Sequence, residues 1–101
     1  MDEVYIIQPS SRKDKKLMVL MGPNMVHHFG QAGYEDYTTT NDKKRKDNYI
    51  ARHSVNEDWT KGGIHTSGFW AKHVLWSKPT IRGAVKELQR KFGIKIIYKI
   101  K

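Results

Sequence analysis

Two stretches of this chain carry side chains whose type and spacing suit them to holding an anion. Lys43-Lys44-Arg45-Lys46 is an unbroken basic run. Arg82, Lys86 and Arg90 recur every four residues, with Lys91 alongside and Lys95, Lys99 and Lys101 following. At helical spacing the 82/86/90 set forms one stripe. A Lys-lined strand beside it could track phosphates with little sequence preference. Lys43 to Lys46 fall in the first turns of an expected helix, where positive charge opposes the helix dipole at a cost of roughly a few tenths of a kcal/mol per residue. A locally unfavourable run hints at external use. The plainer readings are a solvated helix face and an edge strand guarded by lysines.

The other reactive side chains point to less. His27, His28, His53, His65 and His73 contain no i, i+4 pair on one expected helix and no HExxH pattern. A zinc site from His53, His65 and His73 is conceivable in space but has no ligand spacing behind it. Structural histidines are the better expectation. Glu35-Asp36 and Glu57-Asp58 could bind a divalent ion or serve acid/base chemistry. Their neighbours Tyr34, Tyr37, Arg52 and Trp59 suit capping and ion pairing better, and Arg52-His53 beside Glu57-Asp58-Trp59 reads as an internal polar network. There is no cysteine, hence no thiolate nucleophile and no Cys-based zinc site. No glycine-rich phosphate loop, nucleophile elbow or triad is recognisable. Ten acidic residues against nineteen basic ones leave little for a metal-dependent nuclease. The chain is therefore expected to be non-enzymatic and to carry no cofactor.

The elements that must position these groups can be read from periodicity. Val4–Ile7, Lys16–Met21 and, more weakly, Met25–Phe29 read as strands separated by Pro, Ser and Gly turns. Residues 30–41 show neither period and read as loop. Thr40, Asn41 or Asp42 caps a helix to about His53, with Tyr49, Ile50 and His53 as its inward stripe. Thr66 or Ser67 caps a second helix, from Gly68 to about Ser77, apolar around most of its circumference through Phe69, Trp70, Val74, Leu75 and Trp76. With Trp59, these aromatics could stack on bases; helical spacing favours a core role. Pro79 is placed in the first turn of a third helix. There Ile81, Ala84, Val85, Leu88 and Phe92 give the cleanest amphipathic pattern, and Gly93 is its stop. Ile94, Ile96, Tyr98 and Ile100 then alternate with Lys95, Lys99 and Lys101 as a half-buried strand. That strand must join the N-terminal ones, which predicts an α+β domain: a small antiparallel sheet, N-terminal strands plus C-terminal strand, covered by about three helices.

Length and charge agree. The 101 residues suit a single domain over 1–101 with one modest core. Eleven per cent aromatic content, three tryptophans included, argues against full disorder. Net charge is +9, and residues 78–101 hold eight basic groups against one acid. Such an imbalance attracts nucleic acid, an acidic protein or an anionic membrane. No stretch approaches the length of apolar chain that spans a bilayer, so no transmembrane segment is expected. The acidic start before a short apolar run reverses the order of a secretory signal, and a cytosolic, nuclear or virion interior is the expected location.

Ordered words through the middle of the chain carry a resemblance. They are Tyr34-Glu35-Asp36-Tyr37-Thr38, Asp42-Lys43-Lys44-Arg45-Lys46, Tyr49-Ile50-Ala51-Arg52-His53, Glu57-Asp58-Trp59, Gly63-Ile64-His65-Thr66-Ser67-Gly68-Phe69-Trp70-Ala71-Lys72 and Leu75-Trp76-Ser77-Lys78-Pro79-Thr80. Together, over roughly residues 27–90, this pattern resembles a family of small uncharacterised proteins encoded by large nucleocytoplasmic DNA viruses, iridoviruses and mimivirus-like giants among them. Where this chain has His73 the family often has Trp. The family has no established catalytic residues to carry over. The resemblance implies a viral product, virion-associated and without enzymology.

The combined expectation is a basic structural protein of a large DNA virus particle, a minor capsid or virion-internal component. Its partners would be capsid or other virion proteins, and DNA, met through Lys43, Lys44, Arg45, Lys46, Arg82, Lys86, Arg90, Lys91, Lys95 and Lys99. The alternative is a sequence-nonspecific nucleic-acid-binding protein acting in the cytoplasm or nucleus of the infected cell. Oligomeric state is left open by the sequence.

Overall fold

The computed structural model describes residues 4–99. Three strands come first: β1 (Val4–Pro9), β2 (Lys15–Met21) and β3 (Met25–Gln31). They form a meander, β1 antiparallel to β2 and β2 antiparallel to β3. Helices follow: α1 (Tyr37–Thr40), α2 (Lys43–His53), α3 (Ser67–Trp70), which widens into a π-helical segment over Ala71–Trp76, and α4 (Ile81–Phe92). A single 3-10 turn, Lys61–Gly63, lies between α2 and α3. Strand β4 (Lys95–Tyr98) closes the sheet in the order β3-β2-β1-β4.

The class is α+β, with the N-terminal and C-terminal strands in one sheet. The sheet is mixed rather than antiparallel, because β4 runs parallel to β1. The helical excursion returns the chain to the end of the sheet where β1 begins, with Lys95 opposite Val4, so the last strand enters in the same direction as the first. A parallel neighbour needs a long crossover of this kind. Ile100 and Lys101, expected at the end of that strand, lie outside the described residues.

Residue alternation decides which sheet face the helices cover. Tyr5, Ile7, Leu17, Val19, Met21, Phe29 and Ile96 are buried on it. Phe69, Trp70, Val74, Leu75, Val85 and Leu88 from the helices complete the core. Trp70 is fully buried, 5.5 Å from the Tyr5 ring, and its indole Nε1 donates to Ile64 O at 2.8 Å. On the opposite face the register lines up Val26, Leu20, Ile6 and Ile97 across all four strands. Its two ends are exposed, Val26 by 43% and Ile97 by 42%.

Local chemistry sets the helix ends. Asp42 caps α2 by accepting from Lys44 N and Arg45 N. Thr66 caps α3, and Thr80 caps α4 by accepting from Gly83 N. Pro79 therefore stands before the cap, outside the helix in which it was expected. Gly93 ends α4 at φ 65°, a left-handed conformation that glycine takes without strain.

The short helix α1 interrupts a stretch expected to be loop. Three threonines give it no apolar period. It exists because buried Asp36 makes a capping box: its side chain accepts from Thr38 N while its own amide donates to Thr39 Oγ1 at 2.9 Å.

Trp70→Phe is expected to destabilise the fold by about 2–4 kcal/mol, combining lost volume with an orphaned Ile64 carbonyl. Urea unfolding checks this as a lower midpoint with an unchanged slope. A loss below about 0.5 kcal/mol would contradict the anchoring role.

Candidate anion-binding cleft

Four lysines from four places in the chain meet over one depression. Lys46 comes from α2, Lys72 from the π-helical segment, Lys78 from the connection after it and Lys91 from α4. The cleft between them has a volume of about 240 Å³, with Ile50, Ala84 and Leu88 as apolar lining. At roughly 30 Å³ per water, that is room for an oxyanion with part of its hydration shell.

Three of the four lysine side chains are steered by contacts. Lys46 Nζ donates to Ser77 O at 2.8 Å and stands 4.9 Å from the Tyr37 ring centre. Lys72 Nζ lies 5.2 Å from the Trp59 ring and Lys91 Nζ 5.5 Å from the Phe92 ring, both at cation–π range. The one carboxylate in the lining, Glu87, is held by the Arg90 guanidinium through both its oxygens. It offsets Lys78 and Lys91 only in part, and four lysines face one carboxylate. Accordingly Lys72 titrates below the usual lysine value, first because it is half-buried and then because Lys91 and Lys46 repel its charge.

His73 lies beneath this cleft, its ring tilted against Phe69 at 4.5 Å. Its Nε2 donates to Trp59 O at 2.9 Å. Burial, opposed by that hydrogen bond and reinforced by Lys72 and Lys91, lowers its pKa to about 4. At neutral pH it is an uncharged packing residue.

The expected basic residues divide among several surfaces. Lys46 and Lys91 meet in the cleft. Lys43 and Lys44 stay exposed at the start of α2, while Arg45, one residue before Lys46, turns to the other side of the helix and pairs with Glu35 at 3.0 Å. Arg82, Lys86 and Arg90 share an exposed strip of α4, with Arg82 5.9 Å from the Tyr98 ring. Lys95 does not adjoin that strip. α4 covers the face that buries Ile96, and alternation sends Lys95 to the opposite one. Lys99 follows β4, exposed, its amide bonded to Ile7 O. The helix stripe and the strand lysines thus do not make one continuous surface.

Lys72 and Lys78 were missed by a reading built on runs and stripes. A single cation inside an otherwise apolar helix, and a lysine just before Pro79, were the available signals.

Several of the remaining reactive groups are structurally engaged. His53 Nδ1 lies 3.1 Å from Glu57, which also accepts from Trp59 Nε1 at 2.9 Å. Asp58 accepts from Thr60, and Asp36 pairs with Lys16. Among the described residues no three His, Asp or Glu side chains are grouped to hold a metal ion, and no helix is long and apolar enough to cross a membrane.

The model of a family described as a family of unknown function (DUF5754) matches residues 5–53, from β1 through α2. No curated protein and no solved structure matches the chain.

The depressed His73 pKa has a consequence for stability. The unfolded chain binds a proton near the ordinary histidine value while the folded chain resists it, so the contribution is complete above about pH 6.5 and is lost as pH falls toward 4. His27, also lowered by burial, acts in the same direction. His73→Phe is expected to flatten the decline of unfolding free energy between pH 6.5 and pH 4 by up to about 1.4 kcal/mol per pH unit. Denaturant titrations across that range check it; an unchanged slope would refute a buried neutral His73.

Proposed function

We propose that this chain is a non-enzymatic binding module that grips the phosphates of a nucleic acid through the Lys46/Lys72/Lys78/Lys91 cleft. The observation that carries the reading is the convergence of four cations from separate elements onto one small depression that holds a single carboxylate, itself bonded to Arg90. Like charges held together at a fold's own expense are relieved by an anion placed among them.

The kind of cation narrows the class of anion. Arg45 and Arg90, whose forks would suit the carboxylates of an acidic protein, are engaged with Glu35 and Glu87. The cations that line the cleft are lysines, which act as point charges on phosphate oxygens. Arg82 and Lys86, exposed on α4, extend the contact to neighbouring phosphates. Nothing in such a site reads bases, so binding is sequence-nonspecific.

The setting follows from the resemblance to proteins of large DNA viruses: a structural component of the particle, with the packaged genome as its polyanion. The same chemistry would serve a protein acting on nucleic acid in the infected cell. Mass spectrometry of purified particles separates the two, since only the first places the chain there at a fixed copy number.

Fluorescence anisotropy with a short mixed-sequence duplex tests the cleft. Affinity should fall linearly on a log–log plot against salt between 50 and 200 mM, a range chosen to sit around physiological ionic strength. Lys72→Ala with Lys91→Ala should reduce that slope by about 2, one for each lost phosphate contact. Arg82→Ala with Lys86→Ala should weaken binding while leaving the cleft's share. No salt-dependent binding, or an unchanged slope in the Lys72/Lys91 pair, would overturn the proposal.

A further inference from the structure

A second cavity, larger than the lysine cleft, lies on the other side of α2 from it. It measures about 480 Å³, within the size range of small-molecule sites, and is bounded by the end of the β2–β3 hairpin, the segment before α1, α2 and the π-helical segment. Its apolar lining is Ala71, Leu75 and Trp76. Trp76 belongs to a stack of three rings, 4.3 Å from Tyr49, which is itself 4.2 Å from His53. Tyr34 contributes a further aromatic ring to the lining and is 66% exposed.

The polar lining is unevenly satisfied. Both carboxylates are neutralised: Glu35 by Arg45, and Asp36 by Lys16 and the Thr38 hydroxyl. Against them, the Arg52 guanidinium, the Lys15 ammonium, the Asn48 amide and the Tyr49 hydroxyl make no hydrogen bond or ion pair among the described residues. With four Lys and Arg residues against two acids, the lining carries a net charge of +2. Burial holds the Tyr49 phenol well above its usual pKa, so it remains a neutral donor. Spare donors on a walled, partly aromatic surface call for a ligand that brings acceptors and negative charge together with a flat apolar body.

We propose that this cavity binds a small planar-ring ligand bearing one anionic group, the ring against the Tyr34 and Trp76 side and the phosphate or carboxylate against Arg52 and Lys15. Arg52 supplies the planar fork that matches either oxyanion. Asn48 and Tyr49 supply the neutral hydrogen bonds that orient it. The site is independent of the lysine cleft and shares no side chain with it.

The probes are adenosine 5′-monophosphate and indole-3-carboxylate, two sources of the same chemistry, with adenosine and inorganic phosphate as halves. Binding is followed through the indole Nε1–H resonance of Trp76 in ¹H–¹⁵N spectra. At least one of the two complete probes should shift that resonance saturably, and adenosine or phosphate alone should bind about tenfold or more weakly, since each forfeits one class of contact. Saturation by the nucleotide alone identifies a phosphate-bearing ligand, and by the indole acid alone a carboxylate-bearing one. Arg52→Ala, at an exposed position, should cost about tenfold or more in affinity for the bound probe. Tyr49→Phe, which keeps the ring stack, should cost less. The Lys72/Lys91 alanine pair should bind the probe normally, and Arg52→Ala should keep the salt-dependent duplex affinity. No saturable shift with either complete probe, undiminished binding by Arg52→Ala, or loss of probe binding in the Lys72/Lys91 pair would overturn the proposal.

Discussion

Everything in this molecule depends on packing one segment, Ser67 to Trp76, between a sheet and three helices, with Phe69, Trp70, His73, Val74 and Leu75 buried. Phe69, Trp70 and Val74 are fully buried. Trp70 meets Tyr5 of β1, Phe69 meets Phe92 of α4 at 5.4 Å, and Trp76 stacks on Tyr49 of α2. One short segment thereby ties together the sheet, α2 and α4. Aromatic pairs of this kind add about 0.5–1.5 kcal/mol each beyond the area they bury. In a domain of this size, whose total stability is on the order of 5–15 kcal/mol, three such contacts matter.

The same segment shapes both cavities. Lys72, His73 and Ser77 face the lysine cleft, whereas Ala71, Leu75 and Trp76 face the larger pocket. A π-helical turn closes its hydrogen bonds one residue later than an α-helical one and so changes which side chains share a face, and such turns recur at functional sites. Lys46 fastens the segment's end by donating to Ser77 O, while Ser77 Oγ donates back to His73 O. Cleft, pocket and core are therefore mechanically one unit, even though the two cavities share no side chain. The electrostatic cost is local as well: Lys72 and Lys91 both depress the His73 pKa, so the cations act on the core they stand over.

Much of the architecture was legible in the sequence because its determinants are local. The amphipathic period of α4, its Gly93 stop, the Asp42 cap and the alternation of the last strand each follow from a few neighbouring residues. What escaped depends on distant ones. The direction of β4 is set by where the helical excursion ends, not by the pattern within the strand. α1 arises from one buried carboxylate shared between a cap and Lys16. The basic cleft unites residues 46, 72, 78 and 91, of which 72 and 78 lie in no charge run. Conversely, the visible run Lys43–Lys46 is divided by helical geometry, since Arg45 and Lys46 lie about 100° apart and reach different cavities. Linear clusters of charge are a poor guide to clusters in space.

The central claim is that the fold gathers Lys46, Lys72, Lys78 and Lys91 around one cleft, where Lys46 and Lys91 repel the charge of Lys72, and that a phosphate polyanion relieves that repulsion. Site-resolved NMR titration of the lysine side chains measures this directly, with and without a short duplex. Lys72 should titrate below the ordinary lysine value in the free protein and move back up toward it when the duplex is bound. A Lys72 that titrates like an exposed surface lysine, or one indifferent to the duplex, would contradict the account.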